Sequence, residues 1–244
     1  MLYLIGLGLN EISLPLEALE AIKKCKKIYL DSYTTEIPYH LKKLEKIIDK
    51  KIISLKREDI ESEKLVKESK NENICLLVYG SPFFATTHIS LIEDCKKEKI
   101  KVKIIYNASI FDAIGETGLQ LYKFGKITSM PKFQENFKPT SFLDIVKENL
   151  KINSHSLILV DLGLDFETAL AQLVEASKVK KVKINKILVC SQLDFNSKIY
   201  YFHINQITKL KNLKNKIKTP FCFIVPGKMH FVEKEVLERF EMKK

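Results

Sequence analysis

Short apolar runs alternate with amphipathic stretches through the first half of the chain. Residues 2–9 are apolar but interrupted at Gly6 and Gly8, the pattern of a buried strand that ends in a tight loop. Ser13-Leu14-Pro15 opens a helix, with proline near its first position and Leu16, Leu19 and Ile22 on one face. A strand is predicted at 27–33, then a helix from Pro38 with Leu41, Leu44, Ile47 and Ile48 apolar, then a strand at 52–55. A charged helix over 58–69 leads to a strand at 74–79. After Gly80-Ser81-Pro82 come another helix, a strand at 102–106 and a short helix from Ser109. This β-α-β-α order predicts a sheet of largely parallel strands covered by helices.

The rhythm breaks at residues 122–126, Tyr-Lys-Phe-Gly-Lys, which reads as a linker. Beyond it the pattern predicts a strand at 127–130, a helix at 140–150, a strand at 157–162 and a helix at 167–177. Strands follow near 187–193, 199–204 and 221–225, and a last amphipathic helix at 228–240. The expectation is an α/β chain of two domains, 1–121 and 122–244, with a largely parallel first sheet and a mixed second one.

At 244 residues, 45% hydrophobic and 29% charged, the chain has the composition of a globular protein with a real core. No apolar run approaches the ~18 residues of a membrane-spanning helix, and the start lacks a basic segment with a small-residue cleavage site. No membrane association and no secretory signal are expected. Five cysteines at scattered spacings without a C-x-x-C pair argue against a disulfide framework and a structural zinc site, which fits a reduced cytoplasmic protein. Charge is uneven: residues 1–120 hold 19 basic and 18 acidic side chains, residues 121–244 hold 22 and 12. The second half therefore suits an acidic or RNA-associated partner, although 39 of the 41 basic residues are lysine and lysines also simply solvate a surface. Guanine edges are read best by arginine, so direct nucleic-acid recognition is not expected. The acid-free segment 208–218, with Lys209, Lys211, Lys214, Lys216 and Lys218, is either a solvated connector or a contact to such a partner.

Several chemistries are excluded by missing motifs. Gly6-Leu7-Gly8-Leu9-Asn10-Glu11 puts Glu11 at the third glycine of a dinucleotide fingerprint, and there is no phosphate-binding P-loop, H-E-x-x-H or G-x-S-x-G. Three loops nevertheless fall at the ends of three predicted parallel strands: Gly6-Leu7-Gly8-Leu9, the segment from Gly80-Ser81-Pro82-Phe83-Phe84 to His88, and Asn107-Ala108-Ser109-Ile110. Carboxyl ends of parallel strands form ligand crevices. Small residues, hydroxyls and phenylalanines there suit a compact amphipathic ligand with an aromatic base.

The opening residues 1–9, Pro82-Phe83 with Ala85-Thr86-Thr87-His88, Asn107-Ala108-Ser109-Ile110 and Gly118-Leu119-Gln120-Leu121-Tyr122-Lys123-Phe124-Gly125 together resemble the diphthine synthases, methyltransferases with the tetrapyrrole-methylase fold. Arg57-Glu58-Asp59, Pro139-Thr140-Ser141-Phe142 and Ile224-Val225-Pro226-Gly227-Lys228-Met229-His230 extend the resemblance over nearly the whole chain. It implies two α/β domains with S-adenosyl-L-methionine in the cleft between them, and a homodimer. Carried over position by position, the cofactor contacts fall on Leu9, Ser81, Phe84, Ser109 and Ile110 in the first half, and on Val160, Leu193 and Cys222 in the second. Two stretches depart from the family pattern: Gly80-Ser81-Pro82 stands for Gly-Asp-Pro, and Val160-Asp161-Leu162-Gly163 for Leu-Asp-Ile-Lys.

The reaction implied is methylation of a modified histidine on translation elongation factor 2, with the carboxylate esterified as well in eukaryotic relatives. The electrophile is a methyl on positively charged sulfur, so a metal is not needed, and alignment should supply most of the acceleration. No general base stands out. His88 is open as a proton acceptor, a packing residue or a helix cap, and His230 is equally ambiguous. His40, His155 and His203 read as structural, and Asp161 as a strand-end residue shaping the cleft. The rival readings are a methylase of a tetrapyrrole or of ribosomal RNA, and a catalytically weakened binding protein of the same fold.

Overall fold

The structure is a computed structural model and describes residues 1–34, 36–205 and 213–242. Thr208, Lys209 and Lys211 of the lysine-rich segment lie outside the described residues. The chain divides into two compact units, Met1–Ile110 and Phe111–Lys244.

In the first unit, β1 (Leu2–Gly6), β2 (Lys27–Asp31), β3 (Ile52–Leu55), β4 (Ile74–Val78) and β5 (Val102–Ile105) form one sheet in the order β3-β2-β4-β1-β5. Every pairing is parallel, with Leu4 beside Leu76 and Ile104. β1 and β4 are buried along their whole length, because a central parallel strand is covered on both faces. Among the described residues the helices of this unit are α1 (Leu16–Lys23), α2 (Leu41–Ile48), α3 (Arg57–Ile60), α4 (Lys64–Asn71) and α5 (Ile89–Lys97), and the short α6 (Ile110–Ala113) falls at the division between the units.

Two expectations shift here. The charged helix predicted over 58–69 is broken in two, because Ser62 Oγ donates to the Asp59 carbonyl at 2.7 Å and accepts from the Lys64 amide at 3.2 Å, closing a turn. Leu16, expected on the buried face of α1, is 81% exposed, and Ala18, Ala21 and Ile22 make the packing face instead.

The second unit holds β6 (Thr128–Met130), β7 (Ser156–Val160), β8 (Lys186–Ser191), β9 (Lys198–His203) and β10 (Phe221–Val225), ordered β6-β7-β10-β8-β9. Only β6 and β7 are parallel; β10 runs antiparallel to β7 and β8, and β8 to β9. The sheet is mixed, as the sequence led us to expect. Helices α7 (Phe142–Lys151), α8 (Phe166–Val179) and α9 (Phe231–Glu238) accompany it, and Phe166, Phe221 and Phe223 pack ring against ring in its core.

The division falls after Ile110, earlier than the boundary expected after residue 121, and Gln120 is already bonded into the second unit. Residues 122–126 are knitted into the second unit rather than spanning freely. The Gly125 amide donates to the His155 carbonyl and the His155 amide to the Lys123 carbonyl, both at 2.9 Å. The Gln120 amide donates to Glu233 Oε1 on α9 at 3.0 Å.

Candidate active site

The exits of β1, β4 and β5 come together in the first unit. Leu7 N donates to Val78 O at 2.8 Å, and beyond it Gly8 and Gly80 form an isolated backbone bridge. Gly8 and Gly80 have φ of +70° and +77°, which L side chains rarely adopt. A Cβ built on Gly80 would lie 3.7 Å from Ser109 Cα and 4.0 Å from Leu9 Cδ2. Leu9, Gly80 and Ser109 therefore come together at one place.

Asn107 joins these loops. Its Nδ2 donates to the carbonyls of Gly6 (3.2 Å) and Ser13 (2.9 Å), and its Oδ1 accepts from the Ala108 amide at 2.8 Å. Tyr79 adds a bond from its hydroxyl to the Leu9 carbonyl at 3.1 Å. Leu9 and Ser109 are buried, whereas Ser81, Phe84 and Ile110 are half-buried. Of the two adjacent phenylalanines, Phe83 packs against the core of the first unit. The site's character is apolar with two hydroxyls and several backbone groups, a lining suited to an aromatic base and an aliphatic chain.

His88 is enclosed rather than presented to a ligand. It is 1% exposed, with Nδ1 2.9 Å from the Pro82 carbonyl oxygen and Nε2 3.0 Å from Asp31 Oδ2. Burial pushes the Asp31 carboxyl up, but the His88 ring, the Thr34 hydroxyl and the Tyr33 amide outweigh it and hold the group below its ordinary value. Of the readings open for His88 from the sequence, packing is the one its surroundings match.

In the second unit, Val160 ends β7, Cys222 is the second residue of β10, and Leu193 lies just beyond β8. The antiparallel register, with Cys222 opposite Leu159 on one side and Cys190 on the other, brings these three positions to one end of the sheet. Leu193 and Cys222 are buried and Val160 half-buried. Asp161 is exposed, and its carboxylate accepts from the amides of Lys132 and Leu162 at 3.0 Å each, so it shapes the strand end.

A second polar cluster escaped the sequence reading. Glu233, wholly buried in α9, accepts from Gln120 N and His155 Nε2 on one oxygen and from Lys123 Nζ and His230 N on the other. The Gly227 amide donates to His155 Nδ1 at 2.9 Å, which fixes the ring as the neutral Nε2–H tautomer. Burial raises Glu233, yet those four donors hold it at about 2. Burial also lowers His155, against the pull of Glu233. This cluster ties the 118–125 motif to the 224–230 motif, and every group in it is spent on a neighbour. Lys123 and Glu233 carried no signal in the sequence, because their partners are remote along the chain.

Among the described residues, no group of His, Cys, Asp and Glu could hold a metal ion, and no helix is long and apolar enough to cross a membrane. The sequence profile of the tetrapyrrole (corrin/porphyrin) methylases matches residues 1–183. The diphthine methyl ester synthase of Schizosaccharomyces pombe is 44% identical over 165 residues, 66% of this chain and 58% of that one. The diphthine synthase of Methanococcus maripaludis strain C6 is 38% identical over 98% of both chains. The crystal structure of a diphthine synthase superposes with a TM-score of 0.88 at 25% identity, over 99% of this chain and 96% of that one. With a parallel first sheet, a mixed second sheet and this likeness along the full length, the chain belongs to the diphthine synthases of the tetrapyrrole methylase family and is a methyltransferase.

Proposed function

We propose that the protein takes methyl groups from S-adenosyl-L-methionine and places them on the modified histidine of translation elongation factor 2, a step of diphthamide biosynthesis. The observation that carries this reading is the convergence of Leu9, Gly80 and Ser109 at the carboxyl ends of parallel strands. Bound there, the cofactor would supply an electrophilic methyl on a sulfonium. The chain's part is to hold it. Leu9, Phe84 and Ile110 offer apolar surface, and Ser81 and Ser109 offer hydroxyls. Val160, Leu193 and Cys222 of the second unit complete the proposed contact set. The residues present fit such a ligand, because half-buried Phe84 and Ile110 give apolar contact beside the Ser81 hydroxyl, on loops that the Gly8–Gly80 backbone bridge holds together.

No residue is assigned as general base. The acceptor amine loses its proton to solvent, and the protein accelerates transfer by aligning nucleophile and methyl. The protein works in the cytoplasm on this reading, and as a homodimer. Support for the dimer is a largely apolar depression of about 360 Å³ lined by Leu16, Leu19, Ile22, Ile47 and Ile48 with Glu20 and Lys23, with Leu16 81% exposed, a face that a second copy would cover.

The test is direct. The purified protein is given S-adenosyl-L-methionine and elongation factor 2 carrying the unmethylated intermediate, and the target histidine is followed by mass spectrometry. Successive methyl additions on that residue are expected, with a further one on its carboxylate if the methyl ester is made. No gain on that residue would overturn the proposal.

A further inference from the structure

We infer that the buried Asp31–His88 pair is a positioning device for the loop carrying Ser81 and Phe84, and that cofactor affinity depends on it. This rests on the reading of Ser81 and Phe84 as cofactor contacts. Asp31 is the last residue of β2, and the backbone that follows seats its carboxylate: Oδ1 accepts from the amides of Tyr33 (2.7 Å) and Thr34 (3.1 Å), and Oδ2 from the Thr34 hydroxyl (2.5 Å). His88 meets this fixed group with Nε2 and turns Nδ1 to the Pro82 carbonyl, which also accepts from Thr86 Oγ1 at 2.7 Å. Two bonds thus close the segment 82–88 on a single carbonyl, and the 3.0 Å contact of Nε2 with the Asp31 carboxylate sets the closed loop against a neighbouring strand.

Volume alone does not explain these residues. Each is 1% exposed, and a leucine or phenylalanine would fill the space without the cost of burying a charge and a ring. What the polar pair adds is direction: it fixes the Pro82 carbonyl and with it the adjoining peptides of Ser81 and Phe83. The loop needs such support, because Ala85 sits at φ +56°, a conformation a non-glycine residue keeps only when its surroundings hold it. The turn from the Phe84 amide to the Ser81 carbonyl is long, at 3.3 Å, and does little to hold the two by itself. Neither Asp31 nor His88 is open to a ligand, so both act through the loop.

The experiment compares wild type with His88→Leu, His88→Gln, His88→Asn and Asp31→Asn. The readouts are calorimetric affinity for S-adenosyl-homocysteine, KM and kcat with the elongation-factor substrate, and amide exchange over residues 81–88. His88→Leu should weaken binding about tenfold or more, raise KM for the cofactor more than it lowers kcat, and speed exchange over 81–88. His88→Gln, whose amide reaches toward Asp31 and not Pro82, should behave like leucine. His88→Asn keeps an N–H near the Nδ1 position, and Asp31→Asn can donate to Nε2 of an Nδ1–H ring. Asp31→Asn should stay within about threefold of wild type, and His88→Asn, which gives up the contact to Asp31, should fall between wild type and His88→Leu.

If His88→Leu fails to fold, the comparison of His88→Gln with His88→Asn decides, and equal affinities for those two would overturn the proposal. A folded His88→Leu that binds like wild type would overturn it as well. So would equal losses in all variants with exchange over 81–88 unchanged, the pattern of a purely structural pair. In each of those cases wild type still binds cofactor. A wild-type chain that binds none would instead overturn the functional reading, and the positioning role with it.

Discussion

Gly8 and Gly80 exchange backbone hydrogen bonds, Gly8 N to Gly80 O at 3.2 Å and Gly80 N to Gly8 O at 2.9 Å, so the exits of β1 and β4 are locked together beyond both strands. Both residues have left-handed backbones, but a side chain would meet different surroundings at each. At Gly80 the nearest atoms to an added Cβ are 3.7–4.0 Å away, whereas at Gly8 the Cβ would sit 2.6 Å from Ser13 Cβ.

Gly80→Ala should therefore fold with a loss of about 1 kcal/mol from backbone conformation alone. Gly8→Ala adds a clash to the same cost and should lose about 2–4 kcal/mol. Denaturant midpoints check both values. The methyl of Gly80→Ala points into the space bordered by Leu9 and Ser109, so this folded variant should also bind S-adenosyl-homocysteine more weakly. Unchanged affinity in calorimetry would mean that the cofactor does not occupy that space.

Acid stability should report on Glu233. Its folded value of about 2 lies below the ordinary 4.5, so its contribution is fully present above pH 4.5 and is lost as pH falls toward 2. A shift of that size corresponds to about 3 kcal/mol. His155 adds to the loss from about pH 6.5 downward, because the unfolded ring takes a proton that the buried ring resists. Glu233→Gln leaves Lys123 and its neighbours without a carboxylate, and should cost about 3–5 kcal/mol at pH 7. It should also flatten the decline below pH 4.5. Chemical denaturation across pH 3–7 tests this, and parallel curves for wild type and variant would place the proton uptake on other groups.

What could be read from the sequence follows from how local each signal is. β1, β4 and β10 are continuous apolar runs, buried along their length, and such runs are visible in any window of a few residues. The site loops were visible because glycine, proline and hydroxyl residues gather at strand ends. The break at Ser62 was not, since one hydroxyl serving as both donor and acceptor looks like any other serine in a charged stretch. Leu16 misled for the converse reason: its spacing fits the packing face of α1, but α1 packs through its alanines. The buried polar groups were the least legible. Glu233 meets His155 across 78 residues and Lys123 across 110, and nothing in the local pattern marks a charged residue as one that will be enclosed. Asp31 is hidden in the same way at the end of an apolar strand.

The excess of basic residues over 121–244, 22 against 12 acidic, should speed encounter with an acidic or RNA-associated partner. Methylation of elongation factor 2 at subsaturating substrate should slow several-fold as salt rises, since exposed charges are screened over ~8 Å at physiological ionic strength. Lys214 is a poor probe, because its Nζ lies 2.5 Å from Glu167 Oε2. Lys216 and Lys218 are exposed, and reversing both to glutamate should lower kcat/KM for the protein substrate while leaving cofactor affinity unchanged. A rate insensitive to salt and to both reversals would make these lysines ordinary solvated surface.

Ser81 stands where the family pattern has aspartate, in a loop whose Pro82 carbonyl is held by His88 and Thr86. A hydroxyl accepts a hydrogen bond from a ligand less strongly than a carboxylate, and the difference is about 1–2 kcal/mol, or roughly five- to thirtyfold in affinity. Ser81→Asp should therefore tighten binding of S-adenosyl-homocysteine by that factor and leave KM for the elongation-factor substrate unchanged. Ser81 is half-buried, so the new carboxylate is stable only where a ligand or water reaches it. Half-buried Phe84, whose amide donates to the Ser81 carbonyl at 3.3 Å, would crowd that carboxylate if its ring turned toward position 81. If it does, Ser81→Asp weakens binding and the added Phe84→Gly restores it. Calorimetric titration of the single and double variants separates the two geometries, and no change in either would remove position 81 from the cofactor site.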